Sequence, residues 1–146
     1  NQATKFSQGV EILVKKGCME RAMGQARGGS LVTFGAGHNS GLYMSGGILL
    51  NLGPSGRLLG PGMVGGIILS REGTTFGEGA VSSKLDGNDY ETIANTLRSF
   101  EIELDVKGLN GFSAENPLLW ITNSNREEEY NFKRDFIKII PDNSKN

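Results

Sequence analysis

The sequence predicts a mainly β fold, of the β-sandwich or barrel-like kind, with one principal α-helix. Three observations predict it. β-Favouring apolar runs alternate with glycine and proline turns, one stretch carries a capped helical stripe, and part of the C-terminal half alternates with period two. Because 146 residues is the size of one domain, we expect a single domain over residues 1–146. It comprises a glycine-rich, low-charge zone at residues 24–69 and a conventional zone of helix and strands at residues 71–146.

The N-terminal segment is compatible with two structures. Val10, Ile12 and Val14 alternate as in a strand, although the same stretch also fits a helical stripe, and its flanking glycines favour the strand. Residues 18–26 can then form a short N-terminal helix that ends before the next glycine pair. Cys18 is the only cysteine, so the chain cannot form an internal disulfide.

The low-charge zone holds fourteen of the 22 glycines and only two charged residues, Arg27 and Arg57. Its β-favouring runs predict three strands, at residues 30–34, 48–52 and 63–70. Glycine and proline between the runs predict tight turns. A hairpin is predicted in which residues 67–70 and 74–76 are joined by a three-residue loop that ends at Gly73. We find no internal repeat with a period of twenty to fifty residues.

The conventional zone begins with the clearest helix. Asn88 can cap it with Glu91 three residues later, and an apolar stripe that includes Tyr90, Ile93 and Leu97 predicts a helix over residues 89–99. Residues 100–106 then alternate between apolar and acidic side chains, which predicts a strand with one wet face. Two further strands are predicted at residues 118–122 and 130–140, separated by a polar loop.

Charge and hydropathy exclude several partners. A formal net charge of −1 gives no general attraction for nucleic acid, so we expect no nucleic-acid partner. The sequence lacks a run of eighteen apolar residues, so we expect a soluble protein with no membrane span. A membrane-inserting hairpin drawn from residues 24–69 is a remote alternative.

The loop at residues 35–41, sequence GAGHNSG, contains the only histidine, His38. Its glycine spacing is not that of a dinucleotide-binding fingerprint, and no Gly-Lys-Ser/Thr phosphate loop occurs, so we expect no cofactor. His38 and Ser40 suggest a small hydrolase, but no carboxylate is placed to orient the histidine. We favour a packed turn, in which His38, Asn39 and Ser40 form at most a ligand-binding loop.

Other candidate sites have simpler structural explanations. Asp86, Asn88, Asp89 and Glu91 could gather oxygens around calcium, but the spacing of an EF-hand is absent, so we expect no metal site. Trp120 lies in an apolar run and is expected in the core. Tyr43, between turns, is the better candidate for a contact surface.

These observations favour a non-enzymatic structural subunit of a homo-oligomeric assembly, such as a virion, tail or filament component. A surface poor in charge is typical of the centre of an interface. Such a protein would belong to an extracellular or viral particle, and its main partner would be copies of itself. The alternatives are a glycan-binding β-sandwich and the small hydrolase. The predicted interface residues are Tyr43, Arg57, Gly46, Gly47, Gly65 and Gly66.

Overall fold

The computed structural model describes residues 10–17 and 20–143, and it confirms a mainly β protein with one principal helix. The chain divides into two compact units. The first, here called the coil unit, comprises Asn1–Ser83 and Ile137–Asn146. The second, here called the helix unit, comprises Lys84–Phe136.

Four strands of the coil unit run parallel and pair in chain order: Glu11–Val14 (β1), Arg27–Thr33 (β2), Ser45–Asn51 (β3) and Gly65–Arg71 (β4). Residues paired between neighbouring strands lie eighteen to twenty positions apart in the chain. Parallel neighbours require the chain to return to the same end of the sheet, so each strand opens a new coil of a solenoid-like stack. The predicted sandwich or barrel is therefore wrong, because successive strands stack as coils.

The coil repeats about every nineteen residues, as the pair of Glu11 with Ser30 shows. Diglycine pairs lie near the start of three strands, at residues 28–29, 46–47 and 65–66. The sequence therefore carries a structural repeat whose period is just below twenty residues. A side-chain hydrogen bond between coils has the same spacing: Asn51 Nδ2 donates to Ser70 Oγ at 3.1 Å, and the two residues are nineteen positions apart.

The glycine pairs are the places where coils touch. A Cβ atom at Gly46 would collide with the carbonyl oxygen of Arg27, and one at Gly65 would collide with that of Ser45. Gly47 has a φ of +91°, a left-handed conformation that disfavours any side chain. The close backbone approach that the glycine content indicates therefore occurs between coils of one chain.

Apolar side chains stack inside the coils. Leu31, Leu49 and Ile68 lie in register on β2, β3 and β4, and all three are fully buried. The same core cluster takes residues from the turns and from later strands: Ala22, Met23, Ala26, Met44, Leu59, Met63, Ala80 and Ile139. Each coil thus contributes one level of the core.

The remaining strands are Ala80–Ser83 (β5), Leu118–Asn123 (β6), Arg126–Asn131 (β7) and Phe136–Pro141 (β8). The large sheet has the order β1-β2-β3-β4-β8-β5, and β5 pairs antiparallel with β8. The predicted hairpin of residues 67–76 is wrong, because β4 lies between β3 and β8. Phe76 instead forms an isolated parallel bridge with Leu59 in the preceding coil.

The helix unit contains the principal helix, Gly87–Arg98 (α1). Asp86 Oδ1 accepts from the Asp89 backbone N–H at 3.2 Å, and Asp89 Oδ2 accepts from the Asp86 N–H at 2.7 Å. This capping box starts the helix two residues before the predicted start at residue 89, so the predicted cap at Asn88 is wrong. The predicted apolar face is confirmed, because Tyr90 and Ile93 are buried with Leu97.

Residues 100–106 form turns, so the predicted strand there is wrong. Leu104 N–H donates to Phe100 O at 3.0 Å, and Val106 N–H donates to Glu101 O at 3.0 Å. These backbone hydrogen bonds close turns directly after α1. Leu104 and Val106 are buried, whereas Ile102 is 92 % exposed. The alternation of apolar and acidic residues in this segment therefore corresponds to a series of turns, which bury only some of the apolar side chains.

The C-terminal strands agree with the prediction at β6 and differ from it afterwards. Strand β6 is confirmed, but the polar loop reduces to a turn at Ser124 and Asn125, both left-handed, before β7 starts. The predicted strand at residues 130–140 is interrupted by a four-residue helix, Phe132–Asp135 (α2), which Asn131 caps. Of the predicted N-terminal helix, residues 20–26 form turns and residues 18–19 lie outside the described residues.

The coil contacts predict the effect of an added methyl group. Gly65→Ala should lower the free energy of unfolding by about 1–3 kcal/mol, because its Cβ requires a shift of the backbone at Ser45. Gly87→Ala is the control, since no atom lies within 4 Å of a Cβ there. Urea denaturation of both variants tests this, and an equal effect of the two substitutions would contradict the packing role of Gly65.

Candidate functional site

The GAGHNSG loop is a turn of the second coil that is bonded to the third. His38 is exposed, and its Nδ1 accepts a hydrogen bond of 2.8 Å from the backbone N–H of Arg57. Asn39 N–H donates to the carbonyl oxygen of Arg57 at 3.2 Å. Ser40 is fully buried, and its Oγ donates to Gly37 O at 2.8 Å. All three predicted loop residues therefore help to hold the turn.

This geometry gives the hydrolase hypothesis no support. A nucleophilic serine needs access to substrate and a base that accepts its proton. Ser40 is buried, and its hydroxyl donates a hydrogen bond to the carbonyl oxygen of Gly37. The Nδ1 atom of His38 accepts a hydrogen bond from the backbone N–H of Arg57. His38 and Ser40 thus serve separate structural roles in one turn.

Left-handed residues at successive coil corners place Arg57 and Leu58 at the surface. Arg21, Asn39 and Leu58 have φ values of +57°, +62° and +61°. Arg21 N–H donates to His38 O at 3.1 Å, just as Asn39 N–H donates to Arg57 O in the next coil. The backbone of Arg57 is therefore bonded through both its N–H and its carbonyl, while its side chain is exposed.

Tyr43 is the other predicted interface residue that the fold exposes. Its side chain is 59 % exposed, and its ring lies over Gly62, where a Cβ would approach the ring carbons at 2.5 and 2.6 Å. Leu58 and Val64 are 50 % and 75 % exposed, and sequence reasoning missed both.

The four predicted interface glycines lie elsewhere. Gly46, Gly47, Gly65 and Gly66 are half-buried, and the atoms nearest to them belong to the preceding coil or to core methionines. Their contacts are therefore within the chain. The structure brings Tyr43 and Arg57 to the surface and uses the glycines to space the coils.

A groove of about 520 Å³ lies in the helix unit, along α1 and the loop at residues 112–114. Tyr90 and Phe112 form its aromatic wall, with ring centroids 6.0 Å apart at 65°. Burial raises the pKa of Tyr90, and the nearby carboxylates of Asp89 and Asp86 raise it further. The groove is also lined by Gly87, Glu91, Ala94, Asn95, Arg98, Ser113 and Ala114. It offers a small mixed surface of aromatic and charged groups.

Two acidic residues at the start of α1 are engaged in capping the helix. Asp86 and Asp89 bind each other's backbone N–H in the capping box. Within residues 10–17 and 20–143, no three side chains of His, Cys, Asp or Glu are grouped so that they could hold a metal ion. Nor does any helix of this part of the chain have the length and apolarity needed to cross a membrane.

The prediction that Trp120 lies in the core is wrong. Strand β6 alternates, so Leu119 and Ile121 are buried on one face, while Trp120 on the other is 42 % exposed. The apolar run contains both faces of one strand.

No protein-family model matches the chain, and no curated protein or solved structure is significantly similar to it.

His38→Ala should lower the free energy of unfolding by about 0.5–1.5 kcal/mol, because Arg57 N–H loses its acceptor. Lys84→Ala, an exposed substitution, should stay within about 0.5 kcal/mol of the wild type. Urea denaturation measures both. An enzymatic activity that disappears in folded His38→Ala would overturn the structural role and restore the hydrolase hypothesis.

Tyr90 should make stability depend on alkaline pH. Because its pKa is raised in the folded state, its contribution is present below the unfolded pKa of about 10 and is lost as the pH rises through the raised value. Tyr90→Phe should therefore lose less stability than the wild type above pH about 10. Denaturation across this range tests it, with the exposed Tyr43→Phe as control, and parallel curves for wild type and Tyr90→Phe would contradict it.

Proposed function

We propose that the protein is a non-enzymatic structural subunit that packs against copies of itself through an exposed apolar surface of the coil unit. This surface, here called the coil surface, consists of Tyr43, Arg57, Leu58 and Val64. The observation that carries the proposal is the exposure of three large apolar side chains, each at least 50 % exposed, on neighbouring coils. Large apolar side chains that remain exposed on adjoining coils are candidates for contact with another protein.

The composition of the coil surface supports a protein partner. Tyrosine and arginine are enriched at protein interfaces, and lysine, glutamate and aspartate are depleted there. Residues 24–69 contain Arg27 and Arg57 but no acidic residue. The backbone around Arg57 is held by two hydrogen bonds, so little order has to be gained when this corner binds.

Charge supports a second copy as that partner. The coil unit holds nine basic and five acidic residues, a net charge of +4, and the helix unit holds six basic and eleven acidic residues, a net charge of −5. Opposite charges on two parts of one chain favour head-to-tail contacts between copies. A repeating contact of this kind suits a component of a virion, a tail or a filament.

Glycan binding is the second candidate. Tyr43 presents an exposed aromatic ring supported on its inner side by Gly62, which is a surface on which a sugar ring can stack. A glycan array with wild type and Tyr43→Ala separates this function from self-association, because only glycan binding predicts Tyr43-dependent signals.

Tyr43→Glu and Arg57→Glu should each yield smaller species than the wild type, because an unpaired charge at an interface costs about 2–5 kcal/mol. Light scattering after size-exclusion chromatography measures the molar mass, and circular dichroism should be unchanged. Lys84→Glu is the control, since it makes the same charge change as Arg57→Glu outside the coil surface. A wild type that is monomeric at micromolar concentration would refute self-association and favour glycan binding.

A further inference from the structure

A row of three side chains crosses one sheet face of the helix unit. Trp120 on β6 pairs with Glu129 on β7, and on its other side it forms an antiparallel bridge with Lys107. Residues directly opposite one another in a sheet project from the same face. The row Lys107, Trp120 and Glu129, here called the tryptophan face, therefore places an exposed indole between a cation and an anion.

The backbone holds Trp120 firmly in this exposed position. Lys107 N–H donates to Trp120 O at 2.8 Å, and Trp120 N–H donates to Lys107 O at 3.0 Å. Its neighbours Leu119 and Ile121 are buried on the opposite face, so turning the strand over would expose both. The indole is presented to solvent by a rigid support.

The charged residues near Trp120 differ in whether they form ion pairs within the chain. Lys107 Nζ lies 3.1 Å from Glu127 Oε2, and so Glu127 is paired within the chain. Arg134 binds Asp135 through two hydrogen bonds of 2.8 and 2.9 Å. Asp135 and, to a smaller extent, the charge of Glu129 raise the pKa of Arg134, but in the described ranges Glu129 forms no ion pair within 4.0 Å and is exposed beside the indole. The tryptophan face therefore has an aromatic ring and an anion available to one incoming cation.

Protection of a sheet edge explains only part of this arrangement. Charged side chains on an edge strand prevent unwanted pairing with another sheet, and the glutamates of β7 can act in that way. Edge protection does not call for an exposed tryptophan. A cation over an indole with a carboxylate alongside is, in contrast, a recurrent mode of recognition.

The coil surface carries the matching group. Arg57 is exposed, has an apolar neighbour in Leu58, and makes no ion pair among the residues that the structure describes. Arginine stacks on aromatic faces and also pairs with carboxylates. An arginine beside an exposed leucine complements a glutamate beside an exposed tryptophan.

We propose that the tryptophan face is the partner of the coil surface, so that Arg57 of one copy lies on Trp120 of the next and pairs with Glu129. This contact rests on the self-association proposed above and identifies its second half. Because the two surfaces differ, the contact is heterologous and can repeat from copy to copy.

A charge exchange tests the contact. Arg57→Glu and Glu129→Arg should each weaken association about tenfold or more, because each places like charges together. The Arg57→Glu/Glu129→Arg double variant, and an equimolar mixture of the two single variants, should recover association. Glu101→Arg is the control, since it makes the same charge change at an exposed position of the helix unit and should leave association unchanged.

Two measurements separate the possible results. Light scattering reports molar mass, and Trp120, the only tryptophan, reports its own surroundings through its emission as the protein is diluted. Recovery by charge exchange with a concentration-dependent emission supports the contact. If the wild type associates but Glu129→Arg behaves like Glu101→Arg, the contact is refuted and self-association stands. If the wild type is monomeric, both are refuted.

Discussion

Direct contact between the backbones of successive coils is the constraint on which the coil unit depends. Neighbouring strands lie about 4.8 Å apart, which leaves no room for a side chain where Gly46 and Gly65 face the preceding coil. This spacing keeps Leu31, Leu49 and Ile68 in register, so the core forms level by level. It also aligns the corners, where the backbone of Arg57 is bonded to the preceding turn.

Local patterns in the sequence predicted most of the strands and the helix, but not how they pair. Apolar runs indicate that β2, β3 and β4 are extended, but the same runs are compatible both with a hairpin and with a stack of coils. Strand direction depends on contacts between distant residues. The helix start was missed for a different reason: Asp86 and Asn88 are both good caps, and the reciprocal hydrogen bond from Asp89 in the capping box selected Asp86.

The candidate site was predictable where turn chemistry determined exposure. Tyr43 and Arg57 are exposed, as their neighbouring turn residues indicate, and His38 lies in a turn where its Nδ1 accepts a hydrogen bond from the Arg57 N–H. Trp120 was missed because an apolar run conceals which residues face outward. Its bridge to Lys107 could not be predicted, since residues 100–106 fold as turns despite their period-two pattern.

The coil of about nineteen residues also defines the unit in which this chain can change its length. A segment of one full coil, gained or lost, would move everything after it by one strand spacing and keep every stacked glycine beside its neighbour. A gain of a single residue within a strand would instead turn its buried side chains to the opposite face. The height of the stack is therefore free to vary during evolution in whole levels, while the length of each level is tightly restricted.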